Sequence, residues 1–100
     1  MHTRFHVIST IADITDFEFL IHGYLIEGRL EPGMYVRLRP QARLHQDLRI
    51  HAVEVDEMFT KLEGKPCYNI TIQCSDLADT EALHALRIQR EDIEVHSLPD

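Results

Sequence analysis

Apolar and polar residues alternate with a period of two along most of this chain, which is the spacing of half-buried strands. Residues 4–14, RFHVISTIADI, place Phe5, Val7 and Ile11 on one face and Ile8, Thr10 and Ala12 on the other. They predict a strand that is fairly apolar on both sides. Thr15-Asp16 predicts a turn, and residues 17–27, FEFLIHGYLIE, a second strand with Phe17, Phe19, Ile21 and Leu25 on one face. A third strand is expected over 34–39. Residues 44–56, LHQDLRIHAVEVD, alternate most cleanly, with Leu44, Leu48 and Ile50 against His45, Asp47, Arg49 and His51. The apolar positions then slip to Val53 and Val55, as a β-bulge would allow. Residues 57–66 read as a polar loop, and 67–74 as a strand with Tyr68, Ile70 and Ile72 together. Residues 76–86 are the one helical segment, with Asp76 at the N-cap. Residues 87–96 return to alternation, with Ile88, Ile93 and Val95 inward.

Glycine and proline punctuate this pattern. Glu31-Pro32-Gly33-Met34 fits a type II turn, because proline sets φ near −65° at the second position and glycine accepts positive φ at the third. Gly23 and Gly28 interrupt a strand pattern, where glycine marks a bulge or bend. Gly64 ends the polar stretch before the next strand. Bends of this kind curl a short sheet on itself. The expected fold is all-β: a small closed six-stranded antiparallel barrel with at most one short helix, forming a single domain over residues 1–100.

Composition adds bounds to this picture. The chain has 100 residues, 44% of them apolar, enough for one core. No apolar run is long enough to span a membrane, and residues 1–10 lack the apolar stretch of a signal peptide. Cys67 and Cys74 are seven apart, so on one strand they point to opposite faces and cannot bridge. Both read as reduced thiols, and the chain as a cytoplasmic protein. The net charge is −7. Residues 1–50 carry six basic and six acidic residues, and residues 51–100 carry four and eleven, so the second half holds the whole imbalance. Such asymmetry can mark a partner surface, and a solvated acidic face that keeps a small domain soluble is the simpler reading.

The stretch IADITDFEFLIHGYLIEGRLEPGMYVRL resembles the opening of the second domain of elongation factor Tu and related translational GTPases. The family's glycine, Gly-Arg and turn glycine fall on Gly23, Gly28-Arg29 and Gly33. HAVEVDEMFTKLEG is similar to the family's next strand and acidic-aromatic loop, matched at Val53-Glu54, Met58-Phe59 and Gly64. RIQREDIEV resembles the strand that closes that barrel, so the similarity spans most of residues 5–95. The resemblance implies a translation-factor domain II-like barrel. No GxxxxGK[ST] loop is present, so the nucleotide-hydrolysing domain is not part of the likeness. The family's barrel helps hold aminoacyl-tRNA, a role that the acidic second half disfavours, since phosphate binding relies on Lys and Arg.

Candidate chemistry is sparse. His45 and His51 share a face, but a six-residue separation on a strand puts them about 20 Å apart, too far to ligate one ion. No metal, cofactor or catalytic residue is expected: Ser9, Ser75 and Ser97 lack a nucleophile elbow. Arg29, Arg37, Arg39, Arg43 and Arg49 fall within twenty-one residues, and Tyr35 shares a strand face with Arg37 and Arg39. Arginines beside an aromatic suit an anion or nucleic acid. Pairing with the acidic half is the competing use of these arginines. The expected function is a stand-alone, non-enzymatic binding module for a protein partner. An RNA- or nucleotide-binding barrel using the Arg/Tyr patch is the alternative, with net charge against it. An open barrel edge would also permit a homodimer.

Overall fold

A computed structural model describes residues 3–41 and 44–97, with side chains described outside 39–46. The chain runs β1 (Thr3–Asp13), β2 (Glu18–Glu27), β3 (Tyr35–Gln41), β4 (Leu44–Arg49), β5 (Ala52–Val55), α1 (Glu57–Glu63), β6 (Cys67–Gln73), α2 (Leu77–His84) and β7 (Asp92–His96). Every ladder is antiparallel, in the order β4-β3-β7-β1-β2-β6-β5. The sheet is a seven-stranded curled half-barrel. This corrects the expected closed six-stranded barrel, and two helices stand where at most one was expected.

The extra strand comes from the 44–56 segment. Its slip in parity is not a bulge within one strand. At Ile50 the chain is still bonded to the residue that leads into β3, since Ile50 N donates to Met34 O at 2.7 Å. One residue later His51 N donates to Thr71 O at 2.8 Å, on β6. The segment leaves one edge of the sheet and joins the other, so it forms two strands with opposite inward parity. No ladder links β4 to β5 among the described residues, and the cylinder stays open.

The second helix, α1, lies in the stretch read as a polar loop. Asp56 Oδ1 accepts the Phe59 N–H at 3.1 Å, and Gly64, at φ +69°, donates its N–H to Thr60 O. These are ordinary N- and C-terminal caps. The α2 cap matches expectation: Asp76 Oδ1 accepts from Asp79 N at 2.9 Å. The final strand is shorter than expected, because Arg87 and Arg90 adopt φ of +52° and +70° and keep the chain out of extended geometry until Asp92.

The inward faces form one core. Phe5, Val7, Phe19, Ile21, Val36, Leu38, Ile50, Ile70, Ile72, Ile93 and Val95 are buried, joined by Leu83 of α2 and Ile88. Ile11, expected on the Phe5 face, is 57% exposed, and Thr10 is buried instead. The cause is a bulge: Val7 pairs with Gly23 but Ser9 with His22, so Ile8 is an extra residue and parity inverts beyond it. Gly33 sits at φ +92° with Met34 N donating to Glu31 O at 3.3 Å, the geometry of a type II turn. No helix among the described residues is long and apolar enough to cross a membrane.

Candidate functional site

The arginine cluster does not converge on one place. Arg29 is exposed beside Glu31, 3.8 Å away, a pairing of small consequence in water. Arg37 is buried, with Nε donating to Asp47 Oδ1 at 3.0 Å. In register it lies between Asp47 on β4 and Glu94 on β7, so its charge serves the sheet. Tyr35 is half-buried and pairs in register with the exposed Arg49. Arg39 lies on β3 within the range whose side chains are not described, and Arg43 lies outside the described residues.

A different surface carries several of the exposed apolar side chains. Helix α1 buries none of its residues. Met58 and Leu62, one turn apart on one face, are each 72% exposed, and Val55, at the end of β5, is 62% exposed. Side chains three or four apart on a helix lie side by side. The opposite face of the helix is anchored. Thr60 Oγ1 donates to Asp56 O at 2.8 Å and accepts the Cys67 N–H at 2.9 Å. Phe59 packs edge-on against the His22 ring, with centroids 4.5 Å apart. His22 Nε2 lies 3.3 Å from Asp56 Oδ2, within ion-pair distance but not aligned as a hydrogen bond. The helix is therefore held to the sheet by polar and aromatic contacts on one side, and its aliphatic side faces solvent. Strand β5 beside it ends the sheet, so its outer backbone groups have no ladder partner among the described residues.

Sequence reasoning missed this site. Met58 and Leu62 read as part of a polar loop, because a seven-residue helix with no inward apolar face leaves no amphipathic period. The signal present was the cap pair, Asp56 before and Gly64 after, with Glu57 and Lys61 spaced for an i,i+4 pair.

The thiols show no sign of activation. Cys67 is buried beneath α1, with Sγ donating to Lys65 O at 3.4 Å. Burial first, then the nearby Glu63 and Asp56 charges, push its pKa up against a smaller opposing pull from Lys65. The thiol form is a poor nucleophile. In the folded protein Cys67 should therefore react with a disulfide reagent at least about tenfold more slowly than the half-buried Cys74. Equal rates, followed by mass spectrometry of each cysteine peptide, would show that α1 opens freely. The acidic trio Asp13, Asp16 and Glu18 sits at the β1–β2 turn. Asp13 Oδ1 there accepts the Thr15 and Asp16 N–H groups at 3.0 and 3.1 Å, which accounts for part of the cluster as turn structure. Comparison with known proteins finds no matching family, no curated relative and no similar solved structure.

Proposed function

We propose that this protein is a non-catalytic docking module that binds a protein partner through the aliphatic face of α1 and the adjoining edge of β5. The observation that carries this reading is a helix that buries nothing of its own yet presents Met58 and Leu62 to solvent next to a strand edge. Exposed apolar side chains scattered singly need no explanation, whereas neighbouring ones, as Met58 and Leu62 are by their i,i+4 spacing, are a common mark of an interaction surface. An open edge adds main-chain hydrogen bonding to a partner strand. The resemblance of most of residues 5–95 to the second domain of translational GTPases would fit the same reading, since it implies a module without the nucleotide-hydrolysing part. The RNA alternative draws less support, because Arg37, central to its patch, is engaged with Asp47.

The test compares wild type with a Met58→Ser, Leu62→Ser double variant as affinity baits. Both positions are exposed, so stability should change by no more than about 0.5 kcal/mol per site. The variant should lose the protein species that wild type retains. Retention of RNA but no protein by wild type, or of the same proteins by both baits, would overturn the reading. Size-exclusion chromatography of both forms identifies a second copy of the chain as the partner, if the wild type alone elutes as a dimer.

A further inference from the structure

We infer that the outer face of the β7-β1-β2 segment carries a second site, which binds an organic phosphomonoester. The site shares no lining residue with the α1/β5 face and does not depend on the docking proposal.

Three side chains stand in register across three strands. Asp92 on β7 pairs with His6 on β1, and His6 pairs with Tyr24 on β2. The contacts follow the register. His6 Nδ1 is 2.8 Å from Asp92 Oδ1, and the His6 and Tyr24 rings stack with centroids 4.8 Å apart. Arg4 Nη2 donates to Asp92 Oδ2 at 3.3 Å, and Lys65 Nζ lies 4.3 Å from the centre of the Tyr24 ring. An unbroken chain of contacts therefore links Arg4, Asp92, His6, Tyr24 and Lys65. Arg90, Leu25 and Ile26 complete the lining of a shallow groove of about 810 Å³.

Two backbone features shape it. Between Arg4 and Phe5 the register moves from Glu27 to Leu25, so Ile26 is an extra residue on β2 and remains part-exposed at the groove. Arg90 adopts φ +70°, a conformation that side chains larger than glycine rarely take, and its N–H is tied to Val7 O at 2.7 Å. Bulges and left-handed non-glycine residues concentrate where a fold aims side chains at a ligand.

Charge then selects the ligand. The groove is lined by Arg4, Lys65 and Arg90 against the single carboxylate of Asp92, an excess of two positive charges, in a chain whose net charge is −7. Glu27, outside the lining, forms a second ion pair with Arg4 at 3.7 Å, and with both side chains about half exposed it offsets the Arg4 charge only weakly. The hydrogen bond from His6, more than the Arg4 charge, holds the Asp92 carboxyl below its usual pKa. Asp92 is therefore ionised at neutral pH, and it orients His6 and Arg4. A phosphomonoester carries close to two negative charges at pH 7 and three acceptor oxygens, which matches the excess. Leu25 and Ile26 offer an apolar ledge for the organic part. Bare phosphate would leave that ledge unused, and a monocarboxylate would leave one cation uncompensated.

The experiment is an NMR titration of the full-length, isotope-labelled chain with phenyl phosphate, with inorganic phosphate and phenylacetate as comparators. Phenyl phosphate should shift the amide signals of His6, Tyr24, Ile26, Lys65 and Arg90 saturably and bind more tightly than either comparator. Lys65→Gln and Arg90→Gln, both at exposed positions, should each weaken it by about tenfold, the loss of one charge-assisted contact. Arg87→Gln, exposed and outside the groove, should leave it unchanged. Absence of saturable shifts, shifts centred away from the groove, equal binding of all three anions, or equal weakening by Arg87→Gln would overturn the assignment.

Discussion

Gly23→Ala should destabilise the fold by about 3 kcal/mol or more, seen as a fall in melting temperature of roughly 12 °C or more. The expectation runs against the usual sign. Within a strand, replacing glycine by alanine ordinarily stabilises by about 0.4–1 kcal/mol, because the unfolded chain loses freedom. Gly23 is different because of its neighbours. It is buried in mid-ladder between β1 and β6, paired with Val7 on one side and Tyr68 on the other. A Cβ built there would overlap the carbonyl oxygen of His6 and stand 2.8 Å from Phe5 Cε2. A side chain can swing aside; the His6 carbonyl belongs to the β1 backbone and cannot move without opening the sheet at its centre. Phe5 is itself fully buried in the core, so it has little room to yield. A parallel Gly64→Ala measurement gives the contrast. Gly64 meets nothing within 4 Å, and its cost comes only from φ +69°, about 1 kcal/mol for a single left-handed residue. A Gly23→Ala melting temperature at or above wild type would mean that β1 and β2 do not approach as closely as this packing requires.

The same glycine shows what the sequence could and could not convey. Gly23 was legible as a marker of a bulge or bend, and a register shift does occur opposite it. That the shift falls on β1, at Ile8, depends on which strand lies alongside. Alternation reports which residues share a face of one strand, and so Phe5, Phe19, Ile21, Ile50, Ile70, Ile72, Ile93 and Val95 were all readable as inward. Alternation does not report where a strand stops pairing with one neighbour and starts with another. The change of parity between Ile50 and Val53 was visible, but a bulge and a crossing between sheet edges leave the same trace. That ambiguity alone separates a closed six-stranded barrel from an open seven-stranded sheet. Helix α1 escaped for a different reason: with Met58 and Leu62 outward and Thr60 and Phe59 inward, it inverts the pattern by which helices are found.

Candidate sites suffered more than the fold. Arg29 to Arg49 drew attention through nearness in sequence, yet the structure spends Arg37 on Asp47 and leaves Arg29 beside Glu31. The groove residues Arg4, Tyr24, Lys65 and Asp92 lie up to 88 residues apart in the chain and meet only because β7, β1, β2 and β6 are neighbours in the sheet. Charge that is neutral when summed over the first half, or acidic over the second, hides a local excess that exists only across strands.

Ile50→Ala should cost about 2–5 kcal/mol, measured by urea or thermal unfolding. Ile50 is 1% exposed and belongs to the core. It is also the last residue bonded to the segment that leads into β3: its carbonyl accepts the Gly33 N–H at 2.8 Å, and its N–H donates to Met34 O. The next residue, His51, is bonded to β6 through Thr71. Ile50 is therefore the side chain at the corner where the chain passes between the two open edges of the curl, which no ladder joins among the described residues. Removing three carbons there leaves a cavity, and the corner is pinned from both sides, so it cannot close the gap by sliding. Ile11→Ala is the matched control. Alternation grouped Ile11 with the core residues Phe5 and Val7, yet the bulge at Ile8 turns it out to 57% exposure, and its truncation should change stability by no more than about 0.5 kcal/mol. The ratio of the two effects decides between the readings. A large Ile50 effect with a negligible Ile11 effect supports the bulged β1 and the buried corner together. Comparable losses at both sites would restore an unbulged first strand with Ile11 in the core and overturn the register between β1 and β2.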